Sequence, residues 1–242
     1  MNATTPALEF SALSKRYGTI EAVSSLSLRV DAGTTFGLVG ANGAGKTTLI
    51  KCLLDFCGID QGRISIFGVE STRTEARNRL AFVPERFTPP YYLTGRDFVS
   101  FMLQMYRRPF DVEACTDMLA ALDLDPDVLE KPVRELSKGM TQKLGIAVCL
   151  LSARDLLVLD EPSSGLDPKA RALLKESLKT ARSAGRTVFL TSHSLADVDE
   201  MCDQIAVLHQ GGLRYNGSPA QLKQRYAVST LEQAFLKCIG EN

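Results

Sequence analysis

A chain of 242 residues with 28 acidic and 28 basic side chains carries no formal net charge, which argues against a nucleic-acid binder, whose surface shows a basic surplus or stripe. The length allows one large core, or one core with a lobe attached, and no apolar run nears the roughly 18 residues that span a bilayer; the nearest, Leu144 to Leu159, is broken by Ser152-Ala153-Arg154-Asp155. Six scattered cysteines (52, 57, 115, 149, 202, 238) form no Cys-x₂-Cys pair and there are two histidines, so no zinc site is expected, and reduced thiols in a cytoplasmic protein are.

From the amino end, Met1 to Pro6 offer neither a basic start nor an apolar stretch, so no signal peptide is expected. Residues 8–30 are predicted to be β-structure, with Leu26, Leu28 and Val30 alternating against Ser25, Ser27 and Arg29. The apolar run Phe36-Gly37-Leu38-Val39 then meets Gly40-Ala41-Asn42-Gly43-Ala44-Gly45-Lys46-Thr47-Thr48. A strand that ends in such a glycine-rich turn and re-enters a helix, here one with Leu49, Ile50, Leu53 and Leu54 on its face, is a phosphate cradle. Gly40, Gly43 and Gly45 let backbone N–H groups converge on a β-phosphate. Lys46 is placed to reach the β/γ oxygens, and the Thr47 hydroxyl to ligate Mg²⁺. The positive end of the helix dipole adds to the attraction. A nucleoside triphosphate is the expected ligand.

Gly62 to Gly68 reads as a second short strand, and Leu80-Ala81-Phe82-Val83 as a buried strand stopped by Pro84. The period then turns helical. Phe98, Phe101, Met102 and Met105 fall at i, i+3, i+4, i+7 behind a Thr94 N-cap; Val112 to Leu122 is a second helix, and Asp125-Pro126 opens a third short segment. Strands return at 156–159, 188–191 and 205–208, with a helix presenting Arg171, Lys175 and Lys179 outward between the first two. Strands alternating with helices predict an α/β core, and the helical stretch in the middle an inserted lobe.

The strand Leu156 to Leu159 ends in Asp160-Glu161-Pro162. Asp160 is placed to hold the Mg²⁺ shell, and Glu161, one residue on, to polarise an attacking water. General-base help of that kind contributes roughly 10²–10⁴-fold in rate. A phosphate cradle alone leaves kinases, GTPases and many ATPases open. Three further strings narrow the field: Leu136-Ser137-Lys138-Gly139-Met140 before the acids, and Ser164-Gly165-Leu166-Asp167 and Thr191-Ser192-His193 after them.

The order and spacing of these elements, from about Leu8 to Gly217, resemble the nucleotide-binding domain of ATP-binding cassette (ABC) proteins. The resemblance implies an α/β fold: a P-loop NTPase core (1–85 and 152–217) with an antiparallel β subdomain, an inserted α-helical subdomain (86–151) and a C-terminal helical tail (218–242). It also implies ATP and Mg²⁺ as ligands. Tyr17 takes the place of the aromatic residue that stacks on adenine. Ala41, Asn42, Ala44 and Thr48 complete the phosphate loop around the residues named above. Ser137 and Gly139 match the signature that binds the γ-phosphate held by the other protomer, and Asp167 the residue linking the two sites. His193 matches the switch histidine that contacts the γ-phosphate. In such a machine two ATP molecules are sandwiched between two cassettes, and their strokes pass through the helical lobe to membrane subunits.

Two positions depart from the commonest cassette. Glu85, in Val83-Pro84-Glu85-Arg86, stands where a glutamine is usual, and Lys138 where a glycine is usual in the signature. About 4 Å from a phosphate oxygen, an unpaired carboxylate is repelled by roughly 4 kcal/mol at an effective dielectric near 20. Glu85 is therefore expected to ligate Mg²⁺ or its water shell, a carboxylate being a good hard ligand for that ion. Lys138 either offsets the extra acid or is simply solvated. Both variants resemble cassettes of exporters whose membrane subunits are separate polypeptides, as does the tail 230–240 with its apolar residues Leu231, Phe235 and Leu236. Tyr91 and Tyr92, beside Pro89 and Pro90, border the groove that in the family receives a membrane subunit's helix; they either anchor that helix or pack the lobe on the core.

The expectation is thus the ATPase subunit of an ABC exporter, working as a homodimer or with a paralogue and held at the inner face of the membrane by its partners. The alternatives are a non-transport cassette and a module that binds ATP without turnover; the presence of both Glu161 and His193 speaks against the second.

Overall fold

The structure is a computed structural model that describes residues 5–240; residues 1–4 of the segment considered for a signal peptide lie outside it. Two sheets organise the chain. The smaller is antiparallel, in the order β2-β1-β4-β5, built from β1 (Leu8–Tyr17), β2 (Ile20–Val30), β4 (Gln61–Ile66) and β5 (Val69–Glu70). Alternation sets its faces: Leu26, Leu28 and Val30 are buried while Ser25, Ser27 and Arg29 are exposed, as a period of two requires.

The larger sheet runs β10-β9-β3-β8-β7-β6, from β3 (Thr35–Gly40), β6 (Leu80–Val83), β7 (Leu156–Asp160), β8 (Thr187–Ser192), β9 (Gln204–His209) and β10 (Gly212–Gly217). All its neighbours are parallel except the edge pair β9–β10. β3, β7 and β8 are buried from end to end, so they read as unbroken apolar runs, with helices or the second sheet over both faces.

Two cores follow from that burial. On one face Phe36, Leu38, Val158 and Phe189 join Leu49, Ile50 and Leu53 of α1 (Lys46–Leu53) and Phe10 and Ile64 of the small sheet; the Phe36 and Phe189 rings stack at 5.9 Å. On the other, Leu157, Leu159, Val188 and Leu190 join the remaining helices. These are α3 (Gly95–Met105), α4 (Val112–Ala121), α5 (Lys138–Leu151), α6 (Pro168–Ser183), α7 (Leu195–Met201), α8 (Pro219–Arg225) and α9 (Leu231–Gly240), while the short α2 (Thr74–Arg77) sits by the small sheet. Each large apolar side chain buried this way contributes about 1.5–3 kcal/mol. The parallel strands are thereby the fixed frame, and the loops at their ends carry the polar groups.

The helical lobe lies between β6 and β7, with 3₁₀ turns at Pro126–Leu129 and Val133–Glu135. Its helices start where caps satisfy their first N–H groups: a Thr94–Asp97 capping box opens α3, Asp111 caps α4, and Ser137 caps α5. In α5 every residue from Thr141 to Leu150 is buried, the mark of a helix inside a core. Phe87, four residues before Tyr91, packs edge-on against Phe98 with centroids 5.5 Å apart. A β-carbon at Gly145 of α5 would stand 2.8 Å from the Phe87 ring. The segment after Glu85 is therefore pinned between α3 and α5.

Three expectations about side-chain placement are corrected. In α3 the buried residues are Phe98, Val99 and Leu103, while Phe101 and Met105 are exposed, because α3 meets α5 and the first 3₁₀ turn with a neighbouring stripe. In α9 Leu231 is buried and Phe235 packs against the core, and only Leu236 of the three apolar residues singled out in the tail is exposed, Ala234 and Cys238 being buried instead. Lys175 of α6 is half-buried instead of facing outward: its ammonium lies 2.8 Å from Asp197 and 2.7 Å from Glu200 of α7. Tyr91 and Tyr92 do not pack the lobe on the core. They are 69% and 70% exposed, with their rings edge to face at 5.6 Å. Among the described residues no helix is long and apolar enough to cross a membrane.

Candidate functional site

Because β3, β6, β7 and β8 are parallel, their carboxyl ends open on one side of the sheet, where α/β folds bind ligands. β3 leads into the glycine-rich loop, β6 into Glu85, β7 into Asp160 and Glu161, and β8 into His193. A cavity of about 720 Å³ lies there, lined by every residue from Ala41 to Thr48 together with Glu85, Asp160, Glu161 and His193, large enough for a nucleotide. Ile20, Glu21 and Ala22 of β2 and the turn Gln210-Gly211 close its remaining side. Nothing local in the sequence marks those five residues; sheet packing alone brings them in.

The three glycines play different parts. A β-carbon at Gly40 would meet the Leu208 carbonyl oxygen at 2.6 Å, so this glycine lets β3 and β9 approach. Gly45 has φ +107° and would collide with the Ala22 carbonyl, and it opens α1 with no side-chain cap. The first N–H groups of α1 are thus left for an anion, at the positive end of the helix. Gly43, at φ +81°, has nothing within 4 Å of a β-carbon position, which keeps that part of the cradle open. Lys46 folds back over the loop, its ammonium donating to the Gly40 carbonyl at 2.6 Å and the Ala41 carbonyl at 3.4 Å.

The acids are held with equal care. Thr191 donates to Asp160 Oδ1 at 2.6 Å, and the Glu161 N–H donates to Thr191 Oγ1 at 2.9 Å. Glu161 has φ +50°, a backbone region that costs a non-glycine residue of order 1–3 kcal/mol and clusters at functional sites. Its carboxylate accepts from the His193 N–H at 3.1 Å and lies 2.7 Å from His193 Nδ1. With that nitrogen engaged, the other ring nitrogen is left for a ligand. Burial pushes the Asp160 carboxyl above its ordinary range, against the Thr191 hydrogen bond, and the charge of Glu85 adds to the rise.

Thr47, Asp160 and Glu85 contribute a hydroxyl and two carboxylates to the lining of the cavity. Among the described residues no three His, Cys, Asp or Glu gather into a self-sufficient metal cage. An all-oxygen set of one or two carboxylates, completed by substrate oxygens and water, is how Mg²⁺ is ordinarily bound, so these residues fit that ion.

Tyr17, Ser137 and Gly139 are not among the residues that line this cavity. Tyr17 is half exposed, its hydroxyl 3.6 Å from Cys57 Sγ and its ring under the Lys15 ammonium at 5.3 Å. Its hydroxyl also interacts with Thr48 of the loop helix. Ser137 Oγ accepts the Met140 N–H at 3.2 Å, so its own O–H is left to donate outward. A β-carbon at Gly139 would stand 3.2 Å from the Gly165 carbonyl oxygen, and the Lys138 chain passes 3.6 Å from the corresponding position at Gly165. Lys138 thus lies on the loop that leads to Asp167, itself the cap of α6 through a 2.9 Å bond from the Ala170 N–H.

Comparison with known proteins agrees with this fold. A family profile described as ABC transporter matches residues 23–164. An ABC transporter ATP-binding protein of Synechocystis is 36% identical over 207 residues, 84% of this chain and 58% of that protein. The Nod factor export ATP-binding protein I of Ralstonia nicotianae is 36% identical over 228 residues, 90% of this chain and 69% of that one. The chain therefore spans about three-fifths to two-thirds of the length of the curated relatives it matches. A solved structure of the ATP-binding subunit of an ABC transporter superposes with a TM-score of 0.82 at 26% identity, covering 96% of this chain and 99% of that one. A dimeric, post-hydrolysis ATP-binding cassette bound to ADP and Pi shares the fold, with a TM-score of 0.78 at 20% identity. Signature, strand-end acids and phosphate loop, on an α/β fold shared with known cassettes, place this chain in the ABC transporter family.

Proposed function

We propose that this chain is the ATP-binding and ATP-hydrolysing subunit of an ABC exporter, and that it acts as a nucleotide-sandwich dimer on separately encoded membrane subunits at the inner face of the membrane. The observation that carries the reading is the convergence of the phosphate loop, Glu85, Asp160, Glu161 and His193 on one cavity. Similarity to export ATP-binding proteins supports the direction of transport. The division of labour among core (1–85, 152–217), helical lobe (86–151) and tail (218–242) belongs to the same proposal.

The chemistry of the residues follows. Lys46 exchanges its bonds to loop carbonyls for bonds to phosphate oxygens, while the uncapped amides of α1 and the loop N–H groups surround the phosphate chain. Thr47, Asp160 and Glu85 would hold Mg²⁺, which when bound neutralises phosphate charge. Glu161 accepts a proton from the attacking water at its carboxylate, oriented by two contacts with His193. Ser137 and Gly139 are not among the residues lining the cavity of their own protomer, which supports a second copy offering its signature helix N-terminus to the γ-phosphate.

Phosphate release and dimerisation test this reading together. In Glu161→Gln, turnover is expected to fall about 10²–10⁴-fold, with nucleotide binding kept and an ATP-bound dimer accumulating. A variant that hydrolyses as fast as the parent, or that stays monomeric with saturating MgATP, would overturn it.

A further inference from the structure

Thr191 is fully buried, at 0% exposure, in the middle of the parallel sheet. Strand register sets it directly beside Asp160 of β7 on one side and Leu38 of β3 on the other. A threonine hydroxyl has one hydrogen to give and two lone pairs, and here it works in both directions. It donates to Asp160 Oδ1 and accepts from the backbone N–H of Glu161. Two residues further on, His193 holds the Glu161 carboxylate. The end of β8 thus grips the acidic pair through four contacts, and Thr191 supplies two of them.

The backbone at Glu161 gives this grip its meaning. At φ +50° the chain turns out of β7 through the left-handed region, which the surroundings must over-determine for it to persist. The Glu161 amide is buried and would lack a partner without the Thr191 oxygen. On its other side the registered neighbour is Leu38 of β3, an aliphatic residue that asks for no hydroxyl at position 191.

Resting on the ATPase reading above, we infer that Thr191 is the positioning residue of this site: its hydroxyl locks the direction of the Asp160 carboxylate and the left-handed turn at Glu161, and so sets where the two acids stand relative to each other. It lies outside the residues lining the cavity and acts only through those two neighbours.

Thr191→Val keeps the shape of the side chain and deletes the hydroxyl; Thr191→Ser keeps the hydroxyl and deletes the methyl. In the full chain, Thr191→Val is expected to lower kcat about 10- to 100-fold, the scale of a displacement near 1 Å, with KM for ATP within twofold. Thr191→Ser should recover most of that loss. Hydrogen exchange at the Glu161 amide, followed by NMR without nucleotide, should quicken at least tenfold in the valine variant and stay slow in the serine variant. Parental kcat in Thr191→Val, or unchanged exchange at Glu161, overturns the assignment. So does an equal loss in both variants, which would make the methyl the essential part. If the parent chain itself hydrolyses no ATP, the ATPase reading fails, and exchange at Glu161 still decides whether Thr191 locks the turn.

Discussion

The ammonium of Lys46 sits 2.6 Å from the carbonyl oxygen of Gly40, tied to the loop that it must leave to meet a phosphate. Hydrogen bonds to charged groups contribute about 1.5–3 kcal/mol, so Lys46→Ala should weaken ATP binding about 10- to 100-fold. The melting temperature without nucleotide should hardly move, since only local carbonyl contacts are lost. Titration with a fluorescent nucleotide checks this; affinity within twofold of the parent would refute it.

Glu85 and Asp160 line the same cavity, and the charge of Glu85 adds to burial in raising Asp160. A glutamine at 85 removes both a hard ligand and a repulsion toward phosphate. Glu85→Gln should therefore need roughly 3- to 10-fold more Mg²⁺ for half-maximal closure while binding metal-free ATP more tightly. An unchanged magnesium midpoint in ATP-driven dimerisation would remove Glu85 from the metal shell.

Tyr91 and Tyr92 rest mainly on each other in solvent, so replacing both by Ala removes little buried area. Stability should change by less than about 0.5 kcal/mol and basal ATP hydrolysis should persist. Stimulation by the membrane partner should fall, because exposed aromatic pairs of this kind are the usual anchors of a docked helix. Reconstitution with the partner measures the stimulation; a double variant that couples normally would show these rings to be idle.

The Lys175–Asp197 pair joins α6 to the helix that follows His193. Burial alone would raise the Asp197 carboxyl, yet hydrogen bonds from Lys175 and Ser194 hold it below its ordinary value. A depressed carboxyl stabilises the fold above its unfolded pKa, near 3.9, and that contribution is lost as pH falls through the folded value. The stability of the parent should therefore drop more steeply below about pH 4 than that of Asp197→Asn. Denaturant melts from pH 6 down to 3 would show parallel curves if the pair were idle.

Much of this was legible in the chain because several signals agreed locally. The phosphate loop, the strand closed by Asp160 and Glu161, and the cap at Thr94 each combine a residue pattern with a backbone need. Helix faces were less legible. In α3 two overlapping stripes are apolar, one with Phe98 and Leu103, the other with Phe101 and Met105, and only packing against α5 selects the first. The wall formed by Glu21, Ala22, Gln210 and Gly211 joins segments nearly a whole chain apart. The double bond of Thr191 to the acids depends on the register of two parallel strands, which sequence order does not disclose.

Gly139, at the start of the signature helix, leaves room for the Gly165 carbonyl, and Lys138 lies across the same turn. The start of the signature helix thus leans directly on the loop that follows Glu161. In the sandwich proposed above, a shift at one acid would therefore reach the nucleotide opposite through a single loop.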